Sequence, residues 1–279
     1  MGGHPPPRGA QQDDRTKRLP MTRWMFRLLA AVAATALLAG CVSDHALIEA
    51  GLARPPAPKI DDAAYVARQD GSFTLPAIPL EKLPAEYRRQ TIYFPSEEVP
   101  GTVIVNPAAR HLYLITGNNT AVRYGISVGK SGFEWSGVAN VTGRRAWPTW
   151  TPPPEMIDRK PELAKWEKGQ PGGPTNPLGA RALYLTTDGI DYGYRIHGTP
   201  EWQSIGSNAS SGCIRMINQD IIDLYSRVPA GAKVIVLTRN GQMPTGLTLP
   251  PPPPKKPVTA TEADVAPPLE RPTPVSGPV

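Results

Sequence analysis

A mainly β fold with one or two short helices is predicted for the middle of this sequence by three features: short runs rich in Val, Ile, Tyr and Thr; Gly, Asn and Pro at their borders; and prolines crowded outside that region, before residue 101 and after residue 243. The runs are 102–105, 110–115, 121–128, 181–186, 192–197 and 233–238. Gly117-Asn118-Asn119 separates the second from the third and suits a hairpin turn, because Gly and Asn tolerate positive φ. One helix is expected after Ile217: Asn218 is a candidate cap, Ile221, Ile222, Leu224, Tyr225 and Val228 form an apolar face, and Pro229 with Gly231 ends it. A second helical stretch, 155–168, should be split by Pro161, whose ring clashes with the preceding turn. The expected domain covers 101–239, a size at which one hydrophobic core is normal.

The flanks read differently. Arg23 and Arg27 precede an apolar stretch over 28–40 that ends in small residues, as in an export signal, and its 13 residues fall short of the roughly 20 that span a bilayer as a helix. Residues 1–40 are therefore expected to be a signal peptide, with 1–20 explained if Met21 is the true first residue. Leu38-Ala39-Gly40-Cys41 resembles a bacterial lipobox, and that resemblance implies cleavage before Cys41, acylation of Cys41, and a periplasmic protein tethered to a membrane. Residues 41–100 are expected to form a Pro-rich tether with a short helix near 84–89, and 240–279, with its proline run at 250–254, an extended tail.

Charge excludes one class of partner. Of the formal net charge of +6, four units belong to residues 1–40, where six basic side chains face two acidic ones. The near-neutral remainder makes no case for nucleic acid.

If Cys41 is acylated, Cys213 is the one thiol left in an exported protein, where unpaired cysteines are exposed to oxidation. Its neighbours suggest chemistry. Tyr194-Arg195-Ile196-His197-Gly198-Thr199 ends a predicted strand, and Ser210-Ser211-Gly212-Cys213-Ile214-Arg215 forms a Ser/Gly turn just before the predicted helix. An imidazole can take a thiol's proton, and such a turn can aim backbone N–H groups of Gly212 and Cys213 at a developing oxyanion.

These clusters resemble the L,D-transpeptidase catalytic family, of YkuD-like β-sandwich fold, whose pattern is His-Gly followed by Ser-His-Gly-Cys and Arg. Trp147-Pro148-Thr149-Trp150-Thr151-Pro152-Pro153 and Asn176-Pro177-Leu178-Gly179-Ala180-Arg181 extend the resemblance. It implies an enzyme without cofactor or metal that remodels peptidoglycan. Cys213 would attack a tetrapeptide stem, release its terminal D-alanine, and pass the acyl group to an amine of another stem or a protein, or to water. His197 would be the base; Ser211, Gly212 and Gly198 would shape the oxyanion turn; Arg215, Tyr194 and Trp150 would contact substrate. Where the family has His before Gly-Cys, this chain has Ser211. A papain-like hydrolase is disfavoured by chain order, since there Cys precedes His. A wall-binding module without activity is disfavoured by the presence of both residues, and a zinc site by the scatter of His111, His197 and Cys213.

Overall fold

The computed structural model describes residues 1–3 and 44–251, so the signal, the lipobox with Cys41 and most of the Pro-rich tail lie outside the described residues. The chain divides into two units, Met1–Pro56 and Ala57–Val279. In the first, α1 (Asp44–Glu49) is a short helix with no buried residue.

The second unit is built around one mixed sheet. Its strands are β1 (Lys59–Ile60), β4 (Gln90–Tyr93), β5 (Val103–Asn106), β6 (His111–Gly117), β7 (Thr120–Gly129), β8 (Gly137–Ala146), β9 (Arg181–Thr186), β10 (Arg195–Thr199), β11 (Asn208–Ser210), β12 (Ile214–Ile217) and β13 (Lys233–Val236). From β7 the order runs β12, β10, β9, β8, β13, β5, β6, and β6 pairs again with β7, so the path closes on itself. Closure leaves those strands without a free edge. The enclosed core holds Val103, Leu112, Tyr124, Ile126, Leu183, Ile196, Met216 and Val234, all essentially inaccessible to water. The helix α3 (Asn218–Arg227) buries Ile221 and Leu224 against it. As Pro161 dictates, the stretch from 154 to 166 is split into α2 (Pro154–Arg159) and a 3-10 turn (Pro161–Trp166).

Two expectations are corrected. Residues 59–93 are not a tether: β4 pairs along β7 from Gln90↔Arg123 to Tyr93↔Thr120, and β1 adds to β4. A small hairpin of β2 (Arg68–Asp70) and β3 (Phe73–Leu75) lies between them. Side chains weld this segment to the domain. Tyr65 donates its hydroxyl to buried Asp220 on α3 at 3.0 Å, and Arg89 pairs with Asp223 at 3.1 Å. Proline in the segment sets turns between these pieces, and the short helix expected near 84–89 is a single 3-10 turn, Ala85–Tyr87. Asn218 is also not a capping side chain. Its Oδ1 instead accepts the Ala180 N–H at 2.9 Å, a contact that bears on the site.

Candidate active site

The parallel pairing of β10 with β12 assembles the site. Its register sets His197 opposite Arg215 and Ile196 opposite Ile214, which brings Arg195 level with Cys213. Side chains alternate across a strand, so Cys213 and Arg215 share one face with Arg195 and His197, while Ile196 and Ile214 point into the core. That face opens on a cleft of ≈ 490 Å³, within the usual range for ligand sites, whose lining includes Trp150, Lys165, His197, Ser211, Cys213 and Arg215.

His197 is buried, and its Nδ1 lies 2.6 Å from the Gly198 carbonyl, which requires the proton on Nδ1 and leaves Nε2 as the acceptor. Burial lowers its pKa to about 4, so the imidazole is neutral at neutral pH. Cys213 is half-buried, and its thiol donates to the Gly193 carbonyl at 3.7 Å. Burial of the sulfur also pushes this thiol up from its ordinary range. Both groups are thus neutral at neutral pH, and the thiol's hydrogen bond goes to the Gly193 carbonyl.

The turn before Cys213 is held from below. Ser210, buried, donates its hydroxyl to the Cys213 carbonyl at 2.5 Å and accepts the Gly212 N–H at 3.2 Å. The N–H of Gly212, expected to serve as an oxyanion donor, is therefore already partnered inside the turn. Gly212 has φ +115°, and a Cβ there would lie 3.0 Å from the Tyr194 ring, so only glycine fits. Ser211, standing where the family has His, is exposed on the cleft.

Gly198 belongs to a strand rather than a turn. A Cβ on it would fall 2.2 Å from Asn218 Oδ1, so its bare backbone leaves room for the side chain that also holds Ala180, while its carbonyl orients His197. Tyr194 was expected to contact substrate, and its phenol is pushed up to about 12 by burial and by the neighbouring Cys213 thiol. Its ring stacks on Trp135 with centroids 4.3 Å apart and packs against the core beside Gly212. Arg215 lines the cleft and pairs with the exposed Glu201 at 3.0 Å. Trp150 lines the opposite wall, where its N–H and carbonyl both bond to Gln170, at 2.9 and 2.7 Å.

Sequence reasoning missed two supports. Trp135, buried, donates its indole N–H to the Gly212 carbonyl at 3.1 Å; it lies in none of the recognised clusters. Asp70, on the hairpin outside the expected domain, grips Arg181 through two 2.7 Å bonds and the Trp147 indole at 2.9 Å. Phe73 of the same hairpin packs on the Trp147 ring at 4.5 Å. Together they fix the base of the Trp150 wall, since Trp147 has a left-handed φ of 45° and bonds to Ala180 at 2.8 Å.

A cysteine and a histidine set on one face of a closed β sheet, beside a peptide-sized cleft, define a thiol–imidazole site. Residues 100–236 match the L,D-transpeptidase catalytic domain family, YkuD. The putative L,D-transpeptidase YqjB of Bacillus subtilis is 32% identical over 140 residues, 50% of this chain and 72% of that protein. The probable L,D-transpeptidase YbiS of Escherichia coli is 34% identical over 150 residues, 52% of this chain and 47% of that protein. A crystal structure from Brucella melitensis described as a probable carnitine operon oxidoreductase caia is 47% identical, covers 56% of this chain and 96% of its own, and superposes with a TM-score of 0.39, too low to carry an argument about activity. The chain belongs to the L,D-transpeptidase catalytic domain family. It spans about half the length of the Escherichia coli relatives it matches.

Proposed function

We propose that this protein is a peptidoglycan L,D-transpeptidase that works through a Cys213 acyl-enzyme. The observation that carries the reading is the register that sets Cys213, His197 and Arg215 on one sheet face at one cleft. As the Cys213 sulfur attacks the carbonyl of the third residue of a tetrapeptide stem, its proton passes to His197 Nε2. The new S–C bond leaves a tetrahedral oxyanion facing the Cys213 N–H. Collapse breaks the C–N bond to D-alanine, whose nitrogen takes the proton back from His197. In the second half an acceptor amine attacks the thioester, His197 receives its proton, the C–N bond forms, and the thiol is regenerated as sulfur leaves. The acceptor is a second stem or a protein amine. Arg215, freed from its exposed partner Glu201, suits a stem carboxylate.

Incubation of the purified protein with tetrapeptide muropeptides tests the reading by product mass. A cross-linked dimer with release of D-alanine is expected. Release of D-alanine without a dimer would make the protein a carboxypeptidase, and unchanged muropeptides would leave a wall-binding module.

We also propose that export and acylation at Cys41 deliver this domain to a periplasmic membrane surface. Several acyl chains hold firmly where one holds only marginally. Wild-type protein should fractionate with membranes and Cys41→Ser should not; wild-type protein found wholly in the soluble periplasm would refute the anchor alone.

A further inference from the structure

A trans peptide points its C=O and its N–H in opposite directions. The Gly212 carbonyl and the Cys213 N–H belong to one such peptide, so whatever fixes the first aims the second. The partner of that carbonyl is the Trp135 indole N–H at 3.1 Å, on the core side of the turn. Trp135 is only 6% exposed, and its ring is clamped by Tyr194, stacked at 4.3 Å with an interplanar angle of 15°. The neighbouring peptides are fixed as well: Ser210 Oγ takes the Gly212 N–H and donates to the Cys213 carbonyl. With that carbonyl turned to Trp135, trans geometry turns the Cys213 N–H to the other side of the peptide, and Cys213 itself lines the cleft.

We infer that Trp135 is a positioning residue for acyl transfer, its indole N–H locking the Gly212–Cys213 peptide so that the Cys213 N–H stands preformed as the oxyanion donor. The inference rests on the proposed role of Cys213 as nucleophile. Donors set in place before the reaction avoid reorganisation as charge develops, and loss of a whole donor typically costs about 10²–10³ in rate. Loosening one should cost less. Trp135 is not among the residues that line the cleft, so its effect should appear only in reactions that pass through an oxyanion.

Two reactions of the same sulfur separate that effect from a general loss of order. Iodoacetamide alkylates Cys213 by displacement at a saturated carbon: S–C forms, C–I breaks, and no oxyanion appears. The carbapenem imipenem acylates it through a tetrahedral oxyanion: S–C forms, the ring C–N bond breaks, and that nitrogen takes up the thiol proton. In Trp135→Phe, which keeps an aromatic ring against Tyr194 but removes the N–H, the acylation rate should fall about tenfold or more, with the imipenem concentration for half-maximal rate within about twofold of wild type and alkylation within about twofold. Equal losses in both reactions, or unchanged acylation, would overturn the inference. If Trp135→Phe does not fold, hydrogen exchange of the Trp135 indole in the wild type decides: slow exchange is expected, and exchange as fast as in an exposed indole overturns it. Failure of wild-type Cys213 to accept imipenem at all would instead bring down the proposed nucleophile, and this inference with it.

Discussion

The turn that carries Cys213 and the cleft wall around Trp150 are held in different ways. The turn at 208–213 carries its own short-range hold in Ser210, a side chain three residues from the carbonyl it bonds, to which β7 and Trp135 add support from far along the chain. The wall around Trp147 and Trp150 depends on Asp70, 111 residues from its partner Arg181, and on Phe73 beside it. Local order was therefore legible as a motif, whereas the wall's anchor was not. An Asp in a proline-bearing stretch carries no periodic or capping signal, and only the fold brings it to the site.

The same difference explains which parts of the sheet could be read in advance. The strands at 103–106, 111–117, 120–129 and 181–186 are dense in β-branched and aromatic residues and were expected. β8 was missed: burial alternates over its first six residues, but Gly137 and Ala139 fill two of the three inward positions, and Gly143-Arg144-Arg145-Ala146 ends it without alternation. β12 was hidden because its four residues sit between a turn and a helix, too short for a pattern. The meeting of Cys213 and His197 at one cleft was expected from sequence. Trp135 was not, since a lone Trp is ordinarily a packing residue and its hydrogen bond is invisible before folding.

Breaking the turn side should have the larger effects. His197→Ala removes the base and is expected to lower turnover by about 10²–10⁴ in the muropeptide assay with the melting temperature little changed. Retention of more than a tenth of wild-type turnover would remove His197 from the mechanism. Because burial lowers His197 to about 4 and raises the Cys213 thiol, the imidazole stays a competent base down to about pH 4. The acid limb of kcat/KM should accordingly fall near pH 4 instead of the ordinary imidazole range, and Cys213 alkylation should be slow at pH 7 and climb as alkali deprotonates the thiol. Fast alkylation, level between pH 5 and 8, would reveal a preformed thiolate–imidazolium pair.

Gly198→Ala tests the strand that carries His197. Its methyl would meet Asn218 Oδ1 at 2.2 Å, and overpacking of this kind costs about 1–3 kcal/mol, measurable by chemical denaturation. Unchanged stability would mean that Asn218 moves aside freely.

On the wall side, Asp70→Ala should raise KM for muropeptides about tenfold by unfastening Trp147 and Arg181, while iodoacetamide reacts with Cys213 at the wild-type rate. An unchanged KM would show that the wall holds its shape without the hairpin. The smallest effect is expected at Ser211. Its side chain is exposed, and the proposed oxyanion donor is a backbone N–H, so Ser211→Ala should cost less than about tenfold in turnover, or about 1.4 kcal/mol. A hundredfold loss at unchanged melting temperature would make its hydroxyl a donor.

The central claim is a covalent acyl group on Cys213, and intact-mass analysis of the protein mixed with a tetrapeptide donor, quenched in acid before an acceptor is added, reads it directly. The account predicts a mass gain equal to the donor less D-alanine, mapped by peptide digestion to Cys213 and absent from Cys213→Ala. Release of D-alanine by wild-type protein with no adduct at any time, or an adduct that persists in Cys213→Ala, would contradict it.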